Sequence, residues 1–269
     1  MSDSVLFEQR GAVGIITLNR PQTLNALSAD VVEGVRTVLA RVAGDRSVRA
    51  LVLTGAGRAF CAGAALEPSM FEAFGVVEGT TGGDKTAEMM ERAFNPMMRE
   101  LYRLGKPTVA AVNGVVAGGG VGVALVCDIV LAARSAKFYL PFGQRLGIVP
   151  DLCSAWMLTR NIGRARTLGL ALLGDKIPAE QAEQWGLVWR CVEDSSLTEE
   201  SLAVAQRLAD GPTEALVWTR RAIDAGDSNN YEEQLDYERE AQRVLSNRPA
   251  VIEGFVAFHE KRKPRFHED

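Results

Sequence analysis

Short runs of β-branched residues alternate with helical patterns in the first half of the chain, and this alternation constrains the fold most. The runs that predict strands cover Val13–Leu18, residues 49–54, Thr108–Val112 and residues 128–132. A helix is predicted from about Ser28, because apolar residues there recur at helical spacing. Strands that alternate with helices are typical of an α/β fold.

The second half has a different pattern. From residue 152 onward it is almost wholly helical, with stops predicted at Gly163, Gly186, Gly211 and Pro249. Before it, residues 75–84 (GVVEGTTGGD) show no usable period and predict a mobile lid. We expect a core over residues 1–200 and a C-terminal helical region over residues 201–269.

Charge and composition exclude several classes of protein. The net charge is −4 with both signs mixed along the chain, so neither a nucleic acid nor an anionic membrane is an expected partner. The N-terminus lacks a signal-peptide pattern, and no run of apolar residues is long enough to span a membrane. The four cysteines are widely spaced, which favours a reducing compartment. We expect a cytoplasmic protein.

The chemistry predicted from the sequence depends on carboxylates or backbone amides. The sequence has no GxGxxG, Walker, GxSxG or HExxH motif. Its two histidines, His259 and His267, lie near the C-terminus, so neither a histidine base nor a metal site is predicted.

Two glycine-containing loops each follow a predicted buried strand, at residues 55–66 (GAGRAFCAGAAL) and 112–122 (VNGVVAGGGVG). One interpretation is close packing of strand and helix. The other is that small residues let backbone N–H groups approach a ligand, because no side chain stands in the way. Two such amides would form an oxyanion hole.

These segments resemble the crotonase (enoyl-CoA hydratase/isomerase) superfamily. The similar stretches occur in the family's order at residues 15–28 (IITLNRPQTLNALS), 60–64 (FCAGA), 113–120, 127–129 (CDI), 147–151 (GIVPD), 164–188 and 253–264. The resemblance implies a spiral of β-β-α repeats whose C-terminal helical region builds a homotrimer or a hexamer.

The resemblance also implies site residues. The oxyanion amides would belong to Ala64 and Gly119, which would hold the thioester oxygen of an acyl-coenzyme A substrate. The positions that match coenzyme A contacts of the family are Ala26, Ala62, Ala64, Ala65, Leu66, Phe258 and Lys261. Coenzyme A would enter as part of the substrate, and no permanently bound cofactor is implied. For Phe258 and Lys261 a solvated basic tail is the alternative.

The reaction depends on which carboxylate acts. Family hydratases use two glutamates, but the matching positions here are Gly122 and Phe142. Family isomerases often place one carboxylate after the proline of a GIVPD-like segment, which is Asp151 here. A single carboxylate suffices to move a proton between two carbons. The alternative is that Asp151 only caps the following helix.

An acyl-CoA isomerase is therefore the favoured function, with Asp151 as the proton shuttle for a double-bond or ring isomerisation. Three alternatives stay open: an enoyl-CoA hydratase, an aryl-CoA dehalogenase, and a non-catalytic acyl-CoA-binding subunit. Similar isomerases carry Gly-Gly where this chain has Cys153 and Ser154, and this departure would narrow the pocket or move the carboxylate.

Overall fold

The structure is a computed structural model that describes residues 3–65 and 81–266. In chain order its strands are β1 (Val5–Arg10), β2 (Val13–Leu18), β3 (Ala50–Gly55), β4 (Ala59–Cys61), β5 (Thr108–Val112), β6 (Val115–Ala117), β7 (Ile129–Ala133), β8 (Lys137–Tyr139), β9 (Lys176–Pro178) and β10 (Arg190–Val192). Its helices are α1 (Ala29–Gly44), α2 (Gly82–Met89), α3 (Asn95–Tyr102), α4 (Gly119–Leu125), α5 (Ser154–Leu173), α6 (Ala179–Gln184), α7 (Leu197–Ala209), α8 (Thr213–Gly226), α9 (Tyr231–Leu245) and α10 (Pro249–His259). A π-helical turn joins α2 to α3.

The strands form two sheets, and the chain adds strands to both sheets in alternation. The six-stranded sheet has the order β1-β2-β3-β5-β7-β10, and the four-stranded sheet has the order β4-β6-β8-β9. The consecutive pairs β3/β4, β5/β6 and β7/β8 each place one strand in each sheet, with a helical segment before the next pair. This repetition is a spiral of β-β-α units, so the predicted fold class is confirmed.

The helix predicted from Ser28 is α1, and Ser28 is its N-cap residue. Its six buried residues are all apolar and lie at helical spacing: Val31, Val32, Val35, Val38, Leu39 and Val42. This face packs against β1, β2 and α3, and burying one such side chain contributes about 1.5–3 kcal/mol. The helix is therefore held by its apolar stripe.

The prediction of an almost wholly helical second half is wrong in two places. Strand β9 pairs antiparallel with β8, and β10 pairs parallel with β7 at the edge of the large sheet. Each has only three residues, too few to show a period of two. Their pairing partners, which are distant in sequence, decide their conformation.

Two further predictions were partly wrong. Thr81 to Asp84, the last part of the expected lid, form the capping box that begins α2, whereas residues 75–80 lie outside the described residues. Pro249 begins α10 instead of ending a helix. The stop predicted at Gly163 is confirmed, because its φ of 75° breaks the helical geometry inside α5.

The helices of the C-terminal half do not all stand apart from the sheets. The helix that contains residue 200, α7, packs against β2, β3, β5 and β7 of the large sheet. The division of the chain at residue 200 stays a prediction. Over residues 3–65 and 81–266, every helix is too short or too polar to cross a membrane.

Candidate active site

The first glycine-containing loop leaves β4 and turns sharply at Gly63, which has a φ of 92°. The Leu27 N–H donates to the Gly63 carbonyl oxygen at 2.8 Å, and the Ala65 N–H donates to the Leu27 carbonyl oxygen at 3.1 Å. In the trans peptide unit that joins Gly63 to Ala64, the C=O and the N–H point in opposite directions, so the Ala64 N–H points away from Leu27. It is free to face a ligand.

Two asparagine side chains from the resembling segments hold this loop in place. Asn25 is fully buried and donates to the carbonyl oxygens of Ala56 and Ala59 at 2.9 and 2.7 Å. Asn113 donates to the Gly57 carbonyl oxygen at 2.9 Å and accepts from the Gly55 N–H at 3.1 Å. Side-chain amides of this kind fix a loop, because each lost hydrogen bond leaves a polar group unpaired.

The second loop turns at Gly118, whose φ of 55° and ψ of −133° are accessible to glycine. Its N–H donates to the Tyr139 carbonyl oxygen at 2.9 Å. Gly119 follows as the first residue of α4, so its N–H has no acceptor within the helix. This amide is therefore available to a ligand.

The two loops lie against each other. A Cβ atom added to Gly63 would be 3.1 Å from the Gly119 nitrogen, and one added to Gly120 would be 2.4 Å from the Cys61 carbonyl oxygen. Only glycine permits this approach. The Cys61 thiol beneath is fully buried, which raises its pKa to about 12 and keeps it protonated. The structure thus brings the backbone at Ala64 and Gly119 together; their oxyanion role stays a prediction.

Asp151 lies directly over the second loop. Its Oδ1 is 2.9 Å from the position that a Cβ of Gly119 would occupy. This oxygen is buried and accepts no hydrogen bond from any described residue. Burial raises the pKa of the carboxyl group to about 6, and a hydrogen bond from its own backbone N–H opposes this in part. A carboxylate with such a pKa is ionised at neutral pH and retains affinity for a proton.

The capping alternative for Asp151 is wrong. Helix α5 is preceded by Cys153 as its N-cap residue, with a φ of 62°, and among the described residues it has no side-chain cap. The Asp151 group that contacts the helix is its backbone carbonyl oxygen, which accepts from the Ser154 N–H at 2.9 Å and from the Ser154 Oγ at 2.7 Å. The carboxylate does not cap the helix.

The segment after Asp151 occupies the space that a hydratase glutamate would need. A Cβ atom on Gly122 would lie 2.0 Å from the Leu152 carbonyl oxygen and 3.1 Å from the Ser154 Oγ. The other matching position, Phe142, is buried, and its ring lies 3.7 Å from where a Cβ of Gly118 would be. Position 122 has no room for a side chain in this conformation, and position 142 is buried, where an ionised side chain would be costly.

Sequence reasoning missed the roles of Leu152 and Ser154. Leu152 and Cys153 both have positive φ, at 48° and 62°, which is costly for residues with a Cβ. The Leu152 side chain is buried with its Cδ1 2.3 Å from the Cβ position of Gly119. The sequence feature that could have indicated this arrangement is the pair Cys153 and Ser154, where similar isomerases carry Gly-Gly. Cys153 itself is exposed.

The predicted coenzyme A contacts fall into two groups. Ala62 and Ala26 are half-buried beside the first loop, and Ala65 is buried. Leu66 lies outside the described residues. Phe258, near the end of α10, is 79% exposed, and Lys261 follows in an exposed turn. Their exposure is compatible with both the ligand contact and the solvated tail.

Comparison with known proteins identifies a consistent set of relatives. The family model described as enoyl-CoA hydratase/isomerase matches residues 8–269. The 1,2-epoxyphenylacetyl-CoA isomerase of Escherichia coli (strain K12) is 41% identical over 266 residues, covering 99% of both chains. The short-chain-enoyl-CoA hydratase of Clostridium acetobutylicum is 32% identical, covering 97% of this chain and 96% of the relative.

Solved structures agree with these relatives. The enoyl-CoA hydratase of Bacillus anthracis superposes with a TM-score of 0.88 at 29% identity, covering 99% of this chain and 100% of the other. The enoyl-CoA hydratase of Polaromonas sp. JS666 gives a TM-score of 0.87 at 29% identity, covering 97% and 98%.

Proposed function

The chain belongs to the enoyl-CoA hydratase/isomerase family, and within this family we propose that it is an acyl-CoA isomerase with Asp151 as its proton shuttle. One observation carries the proposal. The buried Asp151 Oδ1 has no hydrogen-bond partner among the described residues and lies 2.9 Å from the Cβ position of Gly119. The carboxylate therefore lies beside Gly119, whose amide we propose to hold the thioester oxygen.

The proposed mechanism uses backbone and carboxylate together. The thioester oxygen accepts from the N–H groups of Ala64 and Gly119. Each donor stabilises the negative charge that develops on this oxygen by about 3–4 kcal/mol. Asp151 removes a proton from the carbon next to the thioester, giving an enolate. It returns the proton two carbons further along, so that the double bond migrates and the carboxylate is regenerated.

Hydration is disfavoured by the space around residue 122. Two-glutamate hydration requires a side chain at this position, but the Leu152 carbonyl oxygen fills the site of its Cβ. A solved structure that is named an enoyl-CoA hydratase shares the fold, so water addition is measured alongside isomerisation.

The test is incubation with 3-enoyl-CoA, 2-enoyl-CoA and 1,2-epoxyphenylacetyl-CoA in deuterated water, with products followed by mass spectrometry. We expect migration or ring isomerisation without gain of water. Asp151→Asn is expected to abolish the reaction while coenzyme A affinity stays within a few-fold. Asp194→Asn, which changes an exposed carboxylate, is the matched control. Activity retained in Asp151→Asn would refute the assignment.

We also propose that Phe258 and Lys261 contact the coenzyme A part of the substrate in a homotrimer or hexamer. Exposed apolar side chains on α10, at Ile252, Phe255 and Phe258, support an interaction surface there. Phe258→Ala is expected to raise KM with little change in kcat, and light scattering would measure the assembly. An unchanged KM would support the solvated tail.

A further inference from the structure

A cavity of about 690 Å³ lies at the N-terminal ends of β3 and β5 in the large sheet, whereas the candidate active site lies at their C-terminal ends. The candidate site follows the C-terminal ends of β3, β5 and their partners. The cavity is lined by Arg49 and Lys106, which precede the N-terminal ends of β3 and β5. Residues of α8, α9 and α10 cover it. Its lining contains none of Ala64, Gly119 and Asp151.

The cavity is strongly basic although the whole chain is acidic. Among the described residues that line it, Glu214 is the one carboxylate, and this group is paired with Arg248 at 2.8 Å. Four further basic residues line it: Arg46, Arg49, Lys106 and Arg221. Among the residues described here, none of these four forms an ion pair with a carboxylate. Their charges reinforce one another across the cavity.

Two of these cations, the half-buried Arg49 and the buried Lys106, donate to neutral backbone groups. Arg49 donates to the carbonyl oxygens of Phe266 and Gly211, both at 2.7 Å, while its buried Nε has no partner in the part of the chain that the structure describes. Lys106 is 7% exposed and donates to the carbonyl oxygens of Asp45 and Val48. Carbonyl oxygens satisfy hydrogen bonds but do not neutralise charge. The Asp45 carboxylate offsets part of the Lys106 charge but does not line the cavity, so an anion in the cavity would be stabilised.

A helix N-terminus adds donors to the same cavity. Helix α8 has 14 residues and Pro212 as its N-cap, which supplies no side-chain cap from the described residues. The first amide to bond within the helix is that of Leu216, so the N–H groups of Thr213 to Ala215 are available. The Thr213 Oγ1 is also buried there without a described partner. Such donors favour an anion.

The lining also contains apolar and aromatic side chains, those of Val217, Trp218, Leu245 and Val251. The volume falls within the range of small-molecule sites. We propose that this cavity is a second binding site, distinct from the acyl-CoA site, for a small anion carried on an apolar or aromatic body. The anion, a phosphate monoester or a carboxylate, contacts Arg49 and Thr213, and the body packs on Trp218.

The test uses phenyl phosphate as the probe, with calorimetric titration of the full chain in the presence of saturating coenzyme A. We expect one site per chain, weaker binding at high salt, and no detectable binding of phenol. Benzoate and inorganic phosphate distinguish the preferred anion from the contribution of the aromatic body. Tighter binding of benzoate would assign a carboxylate ligand to the same site.

Variants locate the binding. Arg49→Met is expected to weaken binding about ten-fold or more, since a hydrogen bond to a charged group is lost. Because Arg49 also donates hydrogen bonds to two carbonyl oxygens, its replacement can affect the fold as well as the binding. The double variant Arg46→Gln/Arg221→Gln changes two exposed residues and provides a second test, with an expected loss of about five-fold in affinity. Arg164→Gln, exposed and outside the cavity, is the matched control. Absent binding, an unaffected Arg46/Arg221 double variant, equal binding of phenol, or competition by coenzyme A would overturn the proposal.

Discussion

Replacing Asp151 by asparagine is predicted to stabilise the fold while it removes the proposed base. In the folded protein, burial raises the pKa of this carboxyl group from 3.8 to about 6. Such a difference corresponds to about 3 kcal/mol of destabilisation at neutral pH. The unpartnered oxygen remains after substitution, so we expect a net gain of about 2–3 kcal/mol in the free energy of unfolding at pH 7.

The gain in the free energy of unfolding of Asp151→Asn over the parent must increase with pH. Below about pH 4 the carboxyl group is protonated in both folded and unfolded chains, so the variant and the parent differ little. Between pH 4 and about 6 the unfolded chain has lost the proton while the folded chain still binds it, so the stability of the parent falls as pH rises. Above pH 6 the difference is constant.

Urea denaturation of both proteins at one-unit intervals from pH 4 to pH 8 measures this profile. Asp194→Asn is the control with opposite sign, because hydrogen bonds from Ser135 lower the pKa of Asp194. A stability difference that does not change with pH would refute the reasoning, as would an Asp151→Asn protein less stable than the parent at pH 7. The turnover of the parent should rise with pH through about 6.

Two further perturbations test the surroundings of the carboxylate. Gly122→Ala should destabilise the fold by several kcal/mol, because the added Cβ would lie 2.0 Å from the Leu152 carbonyl oxygen. Thermal unfolding measures this loss of stability. The control is Gly169→Ala, where nothing lies within 4 Å of the added Cβ, and it should be neutral or stabilising by about 0.5–1 kcal/mol. Ser154→Ala should cost about 0.5–1.5 kcal/mol, because one hydrogen bond to the Asp151 carbonyl is lost, and should lower kcat more than it raises KM. Equal effects of the two glycine substitutions, or an unchanged kcat for Ser154→Ala, would contradict this account.

The long periodic elements were predictable from the sequence because local pattern determines them. The apolar stripe of α1 and the buried strands β2 and β5 were found at their observed positions, since each has enough residues to show a period or a continuous apolar run. The three-residue strands β9 and β10 were missed, because pairing with strands distant in sequence decides them.

For the candidate site, the sequence by itself determined the residue types: two glycine-containing loops, Asp151 after a proline, and no glutamate at residue 122. Only the tertiary structure decided the placement of the Asp151 carboxylate over Gly119 and the filling of the space beside Gly122 by the Leu152 carbonyl. The physical reason is that both depend on two consecutive left-handed residues, Leu152 and Cys153. Local propensity disfavours that conformation, and packing against the glycine loop holds it.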